Sequence, residues 1–337
     1  MKKKISILSL VLCLALFFSI SAGFGESVTT SGNATPLAAL PEDSGNTATS
    51  EPMKLGAGEI PTSSEAAVYV ALMPEASGKV VYGNSKVKID ASNTASGYAM
   101  VSFIGNAKGK LKVLIKGPSG TQYTYNLKQD GTYEVFPLSD GDGRYTLGVY
   151  ENISGTMYST TYSRQISVNL TDQFAPFLMP NQYVNFTTSS SAVAMATSLS
   201  KGKTTDLKKV EAIYTYVIDN LTYDRQRAAT VQSGYLPDID SVLAEKKGIC
   251  FDYASLMTAM LRSQGIPTKL VVGYTGKMYH AWINAYTAET GWIDGVIYFD
   301  GRNWKLMDPT FASGSKSSSS IMTYINNGEN YTAKYLY

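Results

Sequence analysis

The chain has 337 residues, 44% of them hydrophobic, with 29 basic against 27 acidic side chains and a formal charge of +2. Loss of a leader carrying three lysines would bring the rest to about −1, which leaves no basic field to hold nucleic acid or an anionic surface. One histidine and the one cysteine outside the apolar N-terminal run do not make a zinc site, and no calcium-type acidic loop or glycine-rich phosphate loop is found, so no metal and no cofactor is expected.

Residues 1–25 read as a signal peptide. Lys2, Lys3 and Lys4 precede an apolar run over 5–20, and the small residues Ser21, Ala22 and Gly23 offer cleavage positions. The run is short for a span of ~20 residues and no basic cluster follows it, so the mature form should keep no stable membrane span. Cys13 lies inside the leader, so mature Cys250 has no partner for an intrachain disulfide even in an oxidising setting. A secreted, cell-surface or cell-wall-associated protein is expected.

Residues 26–65 are mostly Ser, Thr, Gly, Ala, Pro and Asn and hold no aromatic residue. Such a stretch buries too little apolar surface to offset its ordering entropy and reads as a flexible linker.

From 66 to 170 the pattern changes to short strand-like runs. They fall at 68–72, 79–82, 86–89, 99–104, 110–116, 122–127, 132–136, 145–150 and 158–169. In the run over 110–116, Leu111, Val113 and Ile115 alternate with Lys110, Lys112 and Lys116, as in a half-buried strand. Turn residues such as Gly117-Pro118-Ser119-Gly120 and Asp130-Gly131 separate the runs. Seven to nine strands at this spacing predict an all-β immunoglobulin-like sandwich. Its many tyrosines are explained by strand propensity before any binding platform is needed.

From 171 to 337 the elements are mixed. Apolar residues at helical spacing mark a helix over 206–220, with Thr205 as its cap. A short helix over 241–247 is stopped by Gly248. A third helix opens at Cys250 and ends at Gly265 and Pro267. Strands follow at 269–274, 280–286, 296–299 and 304–307, with Asp300-Gly301 turning the last pair. Helices followed by an antiparallel sheet predict an α+β domain.

Three residues there carry chemistry. Cys250 begins a helix, where free N–H groups favour a thiolate and can receive an oxyanion. His280, the sole histidine, lies 30 positions further on at the start of a strand and can serve as general base. Asp308 follows after 28 more and can fix the imidazole tautomer. Each alone has a plainer explanation: a core cysteine, a structural histidine, an Asp-Pro turn. Their order and placement together point to a nucleophile, its base and an orienting acid.

The runs Lys247-Gly248-Ile249-Cys250-Phe251-Asp252-Tyr253-Ala254, Gly265-Ile266-Pro267, His280-Ala281-Trp282 and Trp304-Lys305-Leu306-Met307-Asp308-Pro309-Thr310 resemble the transglutaminase-like superfamily in order and type. The resemblance covers about 204–311 and implies a papain-like α+β core with a Cys-His-Asp triad at Cys250, His280 and Asp308. The animal enzymes' calcium dependence does not carry over, since no matching residues are present. Residues 287–295, with Trp292, are longer than the family pattern and either line the cleft or extend a hairpin. Tyr223 sits where members often carry an aromatic residue near the site.

The function expected is cysteine-dependent acyl transfer on protein or peptide amides through a thioester, resolved by an amine (transglutaminase) or by water (peptidase or amidase). The substrates would be extracellular proteins or peptides, cell-wall components among them. The competing reading is a catalytically idle, wall-associated binding module that keeps the core without its activity.

Overall fold

Alternation of apolar and polar residues makes the first half of the chain a set of antiparallel strands. The structure, a computed structural model, describes Tyr69 and residues 71–293, 297–299, 304–306 and 331–337. The expected leader and linker therefore lie outside the described residues. Of the first expected strand, Tyr69, Ala71 and Leu72 are described and belong to no strand.

Eight strands follow: β1 (Val81–Gly83), β2 (Val87–Asp90), β3 (Tyr98–Phe103), β4 (Leu111–Lys116), β5 (Gln122–Leu127), β6 (Glu134–Pro137), β7 (Gly143–Ser154) and β8 (Met157–Val168). They form two four-stranded sheets, in the orders β1-β2-β3-β6 and β5-β4-β7-β8, with every pairing antiparallel. Val87, Ile89, Val101, Phe103 and Phe136 of the first sheet share a buried core with Val113, Ile115, Tyr125 and Leu147 of the second. Leu111, Val113 and Ile115 are buried as their spacing predicts, and Lys116 stays exposed.

Gly97 shows how tightly this half meets the segment after it. Its φ is +83°, and a Cβ there would lie 2.6 Å from the ring nitrogen of Pro176. Gly97→Ala should therefore cost about 2 kcal/mol or more in stability, read as a lower urea midpoint at unchanged slope.

The segment after β8 is stitched to both halves. The Asn126 N–H donates to Oε1 of Gln182, and Nε2 of Gln182 donates back to the Asn126 carbonyl, at 3.2 and 2.9 Å. The Tyr183 hydroxyl donates to the Thr124 carbonyl, and the Ser255 hydroxyl donates to the Tyr183 carbonyl.

The second half has five helices among the described residues: α1 (Ser191–Ser200), α2 (Asp206–Asn220), α3 (Arg225–Thr230), α4 (Ile239–Glu245) and α5 (Cys250–Arg262). The stripe on α2 buries Val210, Ile213, Tyr214 and Val217, and Thr205 caps it by accepting from the Lys208 N–H. The end of α4 corrects the sequence reading. It stops two residues earlier than expected, at Lys246 with a left-handed φ of 53°, and not at Gly248. Gly248 instead joins β10 (Lys247–Gly248), paired in parallel with β9 (Thr222–Tyr223).

α5 is buried along nearly its whole length, from Asp252 to Arg262. It packs on a sheet of β11 (Thr268–Thr275), β12 (Met278–Thr287), β13 (Gly291–Ile293) and β16 (Tyr331–Leu336), in the order β13-β12-β11-β16. β14 (Ile297–Phe299) pairs with β15 (Trp304–Leu306), and the turn expected between them lies outside the described residues. The α+β expectation holds. None of α1, α3 and β16 was foreseen from the sequence.

Candidate active site

Cys250 occupies the first turn of the buried helix because Gly248 and Ile249 are extended and the helix begins immediately after them. A side chain at Gly248 would strike the Cβ of Asp252 at 2.6 Å, so glycine lets the entry strand lie close to the helix start. Ile249 precedes the helix and its N–H donates to Oδ2 of Asp252 at 2.8 Å. That carboxylate occupies the third helical position and satisfies one of the donors a helix start leaves unpaired. Cys250 is free of any disulfide and only partly buried.

The far end of α5 fixes its direction. Arg262, fully buried, donates to the carbonyls of Thr268, Met179 and Tyr337, from Nη2 at 2.7 Å, Nη1 at 2.5 Å and Nη2 at 2.6 Å respectively. Thr268 opens β11 and pairs with Ala285 near the end of β12. The helix therefore runs in the same direction as β12, and the two elements start from one end of the layer. Tyr279 lies at that end, and its phenol is pushed up by burial first and, among smaller influences, by the Cys250 sulfur.

His280 lies third in β12, opposite Gly273, and is 4% exposed. Its ring shares a strand face with Trp282, the centroids 6.3 Å apart. Ala281 and Ile283 alternate to the other face, into the core that also holds Leu256 and Met257 of α5. The imidazole thus leaves the strand on the side opposite Ala281 and Ile283. The described residues show this shared end and the packing of α5 on β12. Asp308 lies outside the described residues.

Two secondary expectations resolve. Trp292 sits on β13, a short strand that extends the hairpin of β12. Its ring packs on Phe174, Phe177 and Tyr286, and the Lys269 ammonium lies 3.8 Å from its centroid. Tyr223 is paired with Gly248, two residues before the cysteine.

Sequence reasoning missed the polar cluster beneath the helix tip. Fully buried Asp252 also accepts from the Tyr235 hydroxyl at 2.6 Å and from Nη1 of Arg227 at 3.4 Å. Arg227 reaches Glu245 at 3.0 Å as well. Burial, and then the bond to Asp252, push the Tyr235 phenol up, so it stays a donor at neutral pH. An aspartate in the third position of an expected helix was the available signal.

The transglutaminase-like superfamily model matches residues 193–295. Over 193 residues the chain is 26% identical to the Bacillus subtilis protein YebA, which covers 50% of this chain and 26% of that one. It is 28% identical over 123 residues to mouse kyphoscoliosis peptidase, covering 36% of this chain and 18% of the peptidase. The aligned parts thus span about a quarter or less of these relatives. Among solved structures, a proposed cysteine protease from Cytophaga hutchinsonii aligns over 68% of both chains at 18% identity, with a TM-score of 0.33. Red sea bream transglutaminase aligns over 68% of this chain and 53% of its own at 13% identity, with a TM-score of 0.28. Residues 193–295 of this chain are a transglutaminase-like core domain.

Proposed function

We propose that the protein is an exported cysteine enzyme that transfers acyl groups from protein or peptide amides through a thioester on Cys250. The observation that carries this reading is the common origin of α5 and β12, which starts the sole cysteine of the mature chain and the sole histidine from one end of the layer. In the reaction, the thiolate sulfur attacks the amide carbonyl carbon, and free N–H groups of the helix start receive the oxyanion. The C–N bond then breaks, and the amine leaves with a proton from His280. An incoming amine or water, deprotonated by His280, attacks the thioester and releases the thiol. Asp308 would hold the imidazole through its second nitrogen.

Support for the wider reading is of several kinds. The kyphoscoliosis relatives are peptidases by name, and the core family includes acyl transferases. We assign the first half to the immunoglobulin-like type on its two-sheet order and on Tyr145. That hydroxyl, near the start of β7, donates to the Gly141 carbonyl at 2.8 Å and accepts from the Asp140 N–H at 2.9 Å, the corner found in such sandwiches. The halves are proposed as 66–170 and 171–337, with export directed by 1–25. No helix among the described residues is long and apolar enough to cross a membrane. Extracellular proteins or peptides, including those of the cell wall, are the proposed substrates.

The test is to incubate the full mature chain with a glutamine-containing peptide and a labelled primary amine, then trap the thioester by acid quench and mass spectrometry. Amine incorporation marks a transglutaminase, and conversion of the glutamine to glutamate with loss of ammonia, or cleavage of a peptide bond, without it marks a hydrolase. No acyl adduct on Cys250 with any amide donor, together with inertness to alkylation at neutral pH, would establish the idle binding module instead. His280→Asn should lower the rate of adduct formation by about 10²–10⁴-fold while leaving the melting temperature within a few degrees. A variant as fast as the parent removes His280 from the mechanism.

A further inference from the structure

We propose that Arg227 is a positioning residue for the nucleophile, neutralising the buried Asp252 carboxylate so that a thiolate can form at the helix tip. This rests on the reading of Cys250 as the nucleophile.

The geometry is specific. Asp252 is 0% exposed, lies two residues after Cys250, and is folded back on the helix start, where it accepts from Ile249, Tyr235 and Arg227. Three donors on one carboxyl are the partners of an ionised group. A buried anion two residues along the chain from the sulfur opposes a second negative charge there, because like charges in a poorly solvated site disfavour ionisation. The helix start supplies about half a positive charge, too little to offset a full carboxylate.

Among the described residues, the cation paired with Asp252 is Arg227, whose side chain is 29% exposed and bridges from α3. Two neighbouring charged side chains, Lys247 and Glu245, are already engaged. Lys247 on β10 pairs with Asp224 at 3.3 Å, and Glu245 at the end of α4 takes the second arm of Arg227. Asp224 also lies 3.8 Å from Nε of Arg227. Other titratable groups at the shared end of α5 and β12 include Tyr279 and Tyr274 on the hairpin, Tyr183 from the connecting segment and Tyr335 on β16. Burial pushes the Tyr279 and Tyr183 phenols up, so these two supply no charge to offset Asp252. Arg227 therefore sets whether Asp252 presents the sulfur with a bare negative charge or a compensated pair.

Carbamidomethylation of Cys250, followed by intact mass across pH 5–10, tests this on the full chain without requiring enzyme turnover. It therefore stays informative even if no amide substrate is found. In Arg227→Gln the rate at pH 7 should fall about tenfold and the profile should move up by about one pH unit. The double variant Asp252→Asn with Arg227→Gln removes both charges and should return the profile to within about threefold of the parent. If the single variant fails to fold while the double variant folds with a parent-like profile, the uncompensated charge is again the cause. A folded Arg227→Gln with an unshifted profile overturns the proposal. So does a shift that the double variant retains, or a double variant that is itself unfolded, since either makes Arg227 a structural anchor and nothing more.

Discussion

Cys250→Ala is expected to abolish the thioester adduct and to lower amide turnover by at least about 10³-fold, with the fold intact. The separation of these effects follows from where the residue sits. Cys250 begins the helix and is only partly covered, whereas the side chains that anchor α5 are Tyr253, Leu256, Met257, Met260 and Leu261 further along. Alanine is a good helix former and removes one sulfur from a half-open site, so unfolding free energy should change by less than about 1 kcal/mol. Paired urea titrations and adduct mass spectra on parent and variant check both halves of the statement. Activity surviving in Cys250→Ala would end the cysteine mechanism outright.

The opposite profile is expected at the other end of the same helix. Arg262→Met should cost about 3–5 kcal/mol of stability while leaving any residual folded protein reactive at Cys250. Burial pushes the guanidinium down to about 9, still above neutral pH, so the ion is retained. It is compensated by backbone carbonyls in place of a carboxylate, and these come from three segments far apart in the chain: Met179, Thr268 and Tyr337. Methionine fills similar volume but leaves three buried acceptors without that donor, each costing about 1–3 kcal/mol. Urea unfolding followed by fluorescence gives the number. A loss under about 1 kcal/mol would show that water or a shifted backbone takes over the arginine's role.

What could be read from the sequence depended on whether a pattern was local. The helix over Asp206–Asn220 and the strand Gln122–Leu127 have the expected bounds, because a seven-residue apolar stripe or strict alternation leaves little choice of period. α1 was missed because SAVAMATSLS carries serine, threonine and alanine, with no strong stripe, and is held by packing on α2 and α5. β16 was missed because a short aromatic run at 331–336 becomes a strand only by adding to β11. The end of α4 went wrong by two residues. Glycine is the usual left-handed terminator, yet here Lys246 takes that conformation and frees Gly248 for close approach to Asp252. At the site, the cysteine and histidine were legible because each residue type is so scarce. Arg227 and Tyr235 were not, since nothing local links them to Asp252 across 25 and 17 positions.

The amide exchange between Gln182 and Asn126 has a consequence for the protein in a crowded solution. β5 is the last strand of its sheet, and a bare outer strand offers unpaired N–H and C=O groups to any neighbouring molecule. Gln182 uses its side chain to mimic one rung of a ladder there, and Tyr183 caps the carbonyl two residues away. A side-chain rung cannot be extended by a further chain as a true strand could. The connection between the two halves thus doubles as a stopper against edge-to-edge zippering of one molecule onto the next.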